Sequence, residues 1–167
     1  MAESEKITQV RRFLEANDIP YEIHFHPPLP TIEDALAYWK DIDATHCKNL
    51  FFRNHKGNKH YLVIVHCDRD LDIHSLEKRL GEGKLSFASP ERMEKHLGLK
   101  PGSVSPFGLV NDEEHKVIVF LDDNLLQAER LSFHPNDTRA SLPVALDDFR
   151  RYMDWTGNHY EWKKLYD

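Results

Sequence analysis

The sequence predicts an α+β fold, with a mixed or antiparallel central sheet flanked by helices. Two runs rich in aromatic and β-branched residues, 48–53 and 60–66, enclose a polar turn, which is the pattern of an antiparallel hairpin. Helical spacing of apolar residues appears near both ends of the chain, at Ile7, Val10, Phe13 and Leu14 and again over 146–155. Strands come in pairs and do not alternate strictly with helices, unlike a doubly wound parallel sheet. With 167 residues, 40% of them apolar and 30% charged, the chain is long enough to bury a core as one domain over 1–167.

Taken in order, residues 4–16 form an amphipathic helix that Asn17-Asp18 ends. Residues 21–25 alternate like a short strand, and the prolines at 27, 28 and 30 then force an extended path. Thr31 is the expected N-cap of a helix over 32–39, with Asp34 completing an approximate capping box. The hairpin follows, with a turn over 54–59. Residues 72–80 read as a capped helix stopped by Gly81, 84–88 as a short strand, and 89–97 as a helix opened by Ser89-Pro90. Residues 98–112 are expected to be loop, because three glycines and two prolines fall within eleven residues. Residues 116–121 form an apolar strand covered on both faces, 131–144 two short strands about a turn, and 146–155 a final helix.

The start of the chain lacks a basic segment and an apolar run, and no stretch approaches the roughly 20 apolar residues a bilayer span needs, so a cytoplasmic protein without membrane contact is expected. Two cysteines outside any CxxC arrangement fit a reducing compartment. The net charge of −6 argues against a general nucleic-acid binder. Its distribution qualifies that: residues 44–67 contain no Asp or Glu while carrying Lys48, Arg53, Lys56 and Lys59, either a basic face that steers a polyanion or a solvated hairpin tip.

Signatures of the common chemistries are missing: no G-x-S-x-G, no H-E-x-x-H, no P-loop and no dinucleotide fingerprint. His46-Cys47 and His66-Cys67 recur at the open end of the hairpin and raise a zinc reading. Adjacent strand residues point to opposite faces, however, and no further ligand pair follows, which favours buried thiols. Lys48 is expected to start its strand with its stem packed and its ammonium free. The 98–112 loop, held at both ends by regular elements, is able to present main-chain N–H groups at fixed positions, and equally able to be a plain connector. His26, just before the proline turn, reads more simply as a turn histidine bonded to backbone than as a catalytic group.

The run Lys48-Asn49-Leu50-Phe51-Phe52, the GxxxP loop Gly102-Ser103-Val104-Ser105-Pro106-Phe107-Gly108-Leu109-Val110-Asn111-Asp112, and Phe133-His134-Pro135 with Thr138 resemble the YbaK/ProX family of freestanding aminoacyl-tRNA deacylases. The resemblance runs from the first helix to the last, and the Pro-Gly-Ser-Val-Ser-Pro-Phe-Gly-Leu form of the loop is most similar to the branch that clears alanine mischarged onto proline tRNA. It implies hydrolysis of the aminoacyl ester by a placed water, with neither metal, cofactor nor covalent intermediate. It also implies tRNA as a partner, and allows prolyl-tRNA synthetase as another. Carried over, Lys48 holds the phosphate and acceptor end, Gly102 offers main-chain groups to the ester and water, and His134 lines the aminoacyl pocket. Asn49, Ser103, Pro106, His26 and Thr31 are the implied substrate-binding positions. The family's His-Pro-x-x-Asn-Thr is one residue shorter here, His134-Pro135-Asn136-Asp137-Thr138, so neither Asn136 nor Asp137 receives a role. A non-catalytic tRNA- or synthetase-binding module and a metal-dependent hydrolase are the competing readings.

Overall fold

The computed structural model describes residues 4–28, 32–40 and 42–166, the side chains of Ile32 and Asp34 excepted. Helix α1 (Glu5–Ala16) begins where the Ser4 hydroxyl accepts from Ile7 N and buries Ile7, Val10 and Leu14, the stripe that its spacing predicts. The first strand is shorter than expected: β1 is His24–Phe25 alone. Glu22 N reaches the Pro143 carbonyl at 2.9 Å, so the chain before β1 already runs beside the sheet without joining its ladder. Helix α2 covers Ile32–Trp39, as expected. The Thr31 cap and the Asp34 capping box lie outside the described residues and side chains.

The hairpin forms as β2 (Thr45–Asn54) and β3 (His60–His66), paired antiparallel from Cys47↔His66 to Arg53↔His60. Lys48 is therefore the fourth residue of its strand, not the first. Helix α3 (Ile73–Leu80), β4 (Leu85–Phe87) and α4 (Pro90–Leu97) follow, with Asp72 and Ser89 as side-chain N-caps. The segment 98–112 is not loop throughout. Its second half is a 3₁₀ helix, Pro106–Asn111, opened by Pro106 and by the Ser105 hydroxyl accepting from Phe107 N at 3.0 Å. Proline thus starts a helix here, since its fixed φ and missing N–H suit a first position.

Strand β5 (Val117–Asp122) is followed by a short 3₁₀ turn (Asp123–Gln127), β6 (Arg130–Phe133), β7 (Ala140–Ala145) and α5 (Leu146–Thr156). One further strand was not expected: β8 (Tyr160–Lys163) returns after α5 to lie parallel beside β5. The strand order is β1-β7-β6-β2-β3-β5-β8, with β4 attached to β2 off this path. Pairings β2–β6, β3–β5 and β5–β8 are parallel and the rest antiparallel, so the sheet is mixed.

Each face of the hairpin is covered. Phe51, Leu62 and Ile64 join Val10, Leu14, Phe107, Phe149 and Tyr152 in one apolar cluster; Phe52, Tyr61, Val63 and Val65 join Leu76, Leu80 and Phe120 in another. A third, small cluster places Ala35, Trp39 and Ile42 with Cys67 at the open end.

The sheet forks along one edge of β2. On that edge β6 pairs only Thr45 and His46, and β4 pairs only Phe52 to Asn54. Between them no described strand lies opposite residues 47–51. The phase of the β2–β3 ladder is fixed by Cys67 N donating to His46 O at 2.9 Å. Alternation then turns the main-chain groups of Cys47, Asn49 and Phe51 toward the fork. Phe51 confirms the phase, since its carbonyl accepts from Ala88 N at 2.9 Å.

Candidate active site

The fork opens into a cavity of about 340 Å³, lined by side chains from both faces of β2. Ala35 and Trp39 of α2 approach from one face with His134; Met93 of α4 approaches from the other with Pro101, Gly102 and Val104; β2 contributes Cys47 to Phe51. The structure thus brings together Lys48, Asn49, Gly102 and His134, four of the positions implied by the sequence.

Lys48 is half-buried, and its ammonium donates to the main-chain carbonyl of Arg69. The expectation of a free ammonium is corrected: the turn after β3 curls back over the strand and supplies an acceptor within reach. Lys48 shares its face of β2 with Leu50 and Phe52, while Asn49 shares the other with Cys47 and Phe51. The Asn49 Oδ1 is buried with no hydrogen-bond partner among the described residues. A buried acceptor without a donor is costly, so this oxygen suits a ligand N–H or O–H.

Gly102 stands at φ +90°, and a Cβ built there meets nothing within 4 Å. Glycine is therefore required by the backbone conformation and not by crowding. The Lys100 carbonyl closes the turn, accepting from Ser103 N at 3.1 Å and from Ser103 Oγ at 2.9 Å. The Ser103 hydroxyl is thus engaged within the loop, and neither it nor Pro106 lines the cavity. Pro106 is buried in support, its carbonyl accepting from the Tyr152 hydroxyl at 2.6 Å. Burial pushes the Tyr152 hydroxyl's pKa well up, which keeps it a donor.

The ring of His134 is oriented from behind. Its Nδ1 lies 2.7 Å from the Ala140 carbonyl, which only accepts, so Nδ1 carries the proton and Nε2 keeps a lone pair. Burial lowers its pKa, which holds the ring neutral. His26 stays outside the cavity lining. Its Nδ1 bonds the Pro27 carbonyl at 2.9 Å, as a turn histidine would, and its Nε2 lies 2.8 Å from Ser141 Oγ. Its ring centroid is 6.0 Å from that of His134. Thr31 lies outside the described residues. Asn136 is buried at φ +63°, and Asp137 pairs with Arg139 at 2.6 Å, so the shortened motif forms a tight turn behind His134.

Several residues about the cavity were not singled out from sequence. Trp39 stacks on His46 at 4.4 Å and 4° and donates Nε1–H to Ser141 Oγ at 3.1 Å. The Ser141 hydroxyl, already an acceptor there, gives its own proton to His26 Nε2. Ala35 and Trp39, four apart on α2, did carry a signal, since that spacing puts both on one helix face. Phe87 and Met93 gave none beyond being apolar.

The four His-Cys positions do not converge. Cys47 sits in the apolar cluster behind the fork and Cys67 in the small cluster under Trp39. Among the described residues no three His, Cys, Asp or Glu are grouped to hold a metal ion. Burial raises the Cys47 thiol far above its ordinary pKa, so the one thiol lining the cavity is held protonated and is a poor nucleophile.

Residues 26–152 match the family described as "Aminoacyl-tRNA editing domain", and the chain belongs to that family. It is an aminoacyl-tRNA deacylase, with tRNA as its substrate. Over 152 residues it is 38% identical to the Prolyl-tRNA editing protein ProX of Acetoanaerobium sticklandii, covering 89% of this chain and 90% of that protein. Over 162 residues it is 32% identical to the Prolyl-tRNA synthetase associated domain-containing protein 1 of Mus musculus, covering 95% of each. A solved candidate trans-editing enzyme for prolyl tRNA synthetase superposes with a TM-score of 0.70 over 98% of this chain and 99% of that one, at 21% identity, a likeness of fold. Among the described residues no helix is long and apolar enough to cross a membrane.

Proposed function

We propose that the chain acts in trans in the cytoplasm, as one editing domain over 1–167, to hydrolyse alanine wrongly esterified to proline tRNA. The observation that carries this reading is the meeting of Lys48, Asn49, Gly102 and His134 at a cavity of only about 340 Å³, near the lower end of ligand pockets. Water attacks the ester carbonyl, the bond from that carbon to the ribose oxygen breaks, and the departing ribose oxygen takes a proton from the water to become a hydroxyl, leaving free alanine and tRNA. Gly102 main-chain groups face the developing oxyanion, and Pro106 and Ser103 hold the loop from behind. The Asn49 oxygen and the His134 lone pair accept from the substrate ammonium or the water. Lys48 exchanges the Arg69 carbonyl for a phosphate or ester oxygen. His26 and Ser141 back the pocket from the α2 side.

A missing methylene is worth about 1–3 kcal/mol to a synthetase pocket, so a second, smaller site is a physical answer to alanine on a proline tRNA. The name of the Mus musculus relative supports a synthetase as a further partner. One observation favours a non-catalytic binding module, namely that the Lys48 ammonium is already engaged. Deacylation of Ala-, Ser-, Cys- and Pro-charged proline tRNA, with and without chelator, decides. Cleavage of the alanyl ester that the chelator leaves intact, with prolyl ester spared by about 10- to 200-fold, is expected. Equal cleavage of the prolyl ester overturns the substrate assignment, and no cleavage at all favours the module.

A further inference from the structure

We propose that Phe87 is the stacking platform for the terminal nucleobase of the tRNA substrate. This rests on the deacylase reading and adds to it where the base of the esterified nucleoside goes. Phe87 lines the cavity and yet is 59% exposed, whereas its neighbour Phe52 is fully buried. A single exposed aromatic is ordinary on a protein surface, so the placement and rigidity of this one have to carry the argument.

The ring is held as a plate. Strand β4 is three residues long, and all three pair with β2, Phe87 opposite Phe52. The two rings stack at 4.7 Å and 29°, and the backbone beyond is pinned by Ala88 N donating to Phe51 O. A ring supported on its inner side and open on its outer side offers one free π-face, the geometry that single-stranded nucleic acid uses for base stacking.

The placement matches a nucleoside ester. Lys48, Leu50 and Phe52 stand at alternate positions on one face of β2, so a rise of about 3.3 Å per residue puts Leu50 about 7 Å and Phe52 about 13 Å from Lys48. Phe87 lies beside Phe52, with Leu50 as apolar floor between the plate and Lys48. The aminoacyl ester occupies the end where Lys48, Gly102 and His134 meet. A base carried one sugar away from that ester then passes Leu50 to reach the face of Phe87 turned away from Phe52. Stacking of this kind tolerates any base, so it supplies grip on the tRNA end without discriminating among tRNAs.

The test uses the wild-type protein and an uncharged RNA oligonucleotide whose single-stranded 3′ end terminates in 2-aminopurine, a base whose fluorescence is quenched by stacking. Quenching on binding is expected with wild type and with Phe87→Tyr, and is expected to vanish in Phe87→Leu, which keeps apolar bulk without a π-face. In parallel, Phe87→Leu is expected to lower kcat/KM for Ala-charged tRNA by roughly 5- to 150-fold, mainly through KM, with Phe87→Tyr restoring it. Unchanged quenching in Phe87→Leu overturns the proposal, and with hydrolysis intact it leaves the deacylase reading standing. Quenching that depends on Phe87 in a protein that hydrolyses no mischarged tRNA upholds the platform and sinks the deacylase reading.

Discussion

At the tip of the β2–β3 hairpin the polar groups of the turn bond one another. Asn54 Oδ1 accepts from Asn58 N and Lys59 N at 3.0 and 3.1 Å, its Nδ2 donates to Asn58 Oδ1 at 2.7 Å, and the Gly57 carbonyl accepts from Arg92 at 3.0 Å. At the open end of the same ladder, Asn49 Oδ1, His46 Nε2 and the neighbouring Ser132 Oγ are buried with no partner among the described residues. One end is a finished local structure that projects charge; the other keeps unspent hydrogen-bonding capacity beside a cavity. The difference comes from the partner strands. Where β6 and β4 stop short, β2 is left with an edge that no described strand completes, and chemistry is expected there and not at the tip.

The largest effect that sharpens this contrast is expected from Lys48→Ala. Loss of a positioned donor to a developing charge costs about 10²–10³ in rate, and the fold should be kept, because the only described bond broken is to the Arg69 carbonyl. Lys48→Arg should restore part of the rate, since a planar fork differs in reach and shape from a point charge. Single-turnover hydrolysis and thermal unfolding of one sample check this. Wild-type hydrolysis in a folded Lys48→Ala protein would mean that the open end works without its lysine.

A second effect separates the ends by pH. Burial lowers the pKa of His46, at the open end, and of His60, near the tip, to about 4 each, against an ordinary 6.5. The unfolded chain takes protons below pH about 6.5 that the folded chain refuses. Stability is therefore complete above that pH and falls as pH drops toward about 4, by up to about 1.4 kcal/mol per pH unit for each histidine. His60 Nε2 lies 3.0 Å from Arg92 Nη1, a donor already supplied, whereas His46 Nε2 has none. His46→Phe should keep the stack on Trp39 and make the acid loss shallower. Denaturant unfolding at several pH values measures the slope, and an unchanged slope assigns the acid loss elsewhere.

What was legible in the sequence follows the range of the forces involved. The helices were read almost to the residue where Ser4, Asp72 and Ser89 cap them, because a cap is settled within three or four residues. The hairpin was read for the same reason. Strand β8 was missed because its four residues are ordered by β5, some forty positions earlier. Pro106 was read as a breaker, although Ser105 before it makes it a helix start. At the site, Lys48, Asn49, Gly102 and His134 were named from family motifs, but the fork that assembles them depends on where β4 and β6 end. The bond from Lys48 to Arg69 and that from His26 to Ser141, 115 positions apart, are tertiary and left no local trace.

A third effect belongs to the tip. Gly57 adopts φ +73°, and a Cβ there would stand 2.9 Å from Arg92 Nη2. Gly57→Ala should therefore cost about 1–2 kcal/mol through the left-handed backbone, with Arg92 moving aside. Thermal unfolding should show the loss while hydrolysis of a minimal alanyl-adenosine ester stays at its wild-type rate. A matching fall in that rate would show that the two ends are mechanically coupled.

The smallest effect is expected from the exposed pair Lys56 and Lys59, neither with an ion-pair partner among the described residues. Lys48 and Arg53 are five residues apart on β2, about 17 Å at the rise of a strand, and the turn extends farther still. That exceeds the roughly 8 Å screening length at physiological salt, so the tip is too remote to alter the ester chemistry. Its lysines are able to act only by neutralising tRNA phosphates and releasing counterions, which makes log affinity fall by about 0.7–0.9 per log unit of salt for each phosphate engaged. In Lys56→Gln/Lys59→Gln, kcat should hold and the salt dependence of tRNA binding should flatten by up to about 1.4 to 1.8 in that slope. Filter binding across a salt series measures it. An unchanged slope makes the tip a solvated surface and leaves tRNA grip to the groups around the fork; a fall in kcat would instead show that charge at the tip reaches the cavity, against the separation the screening length requires.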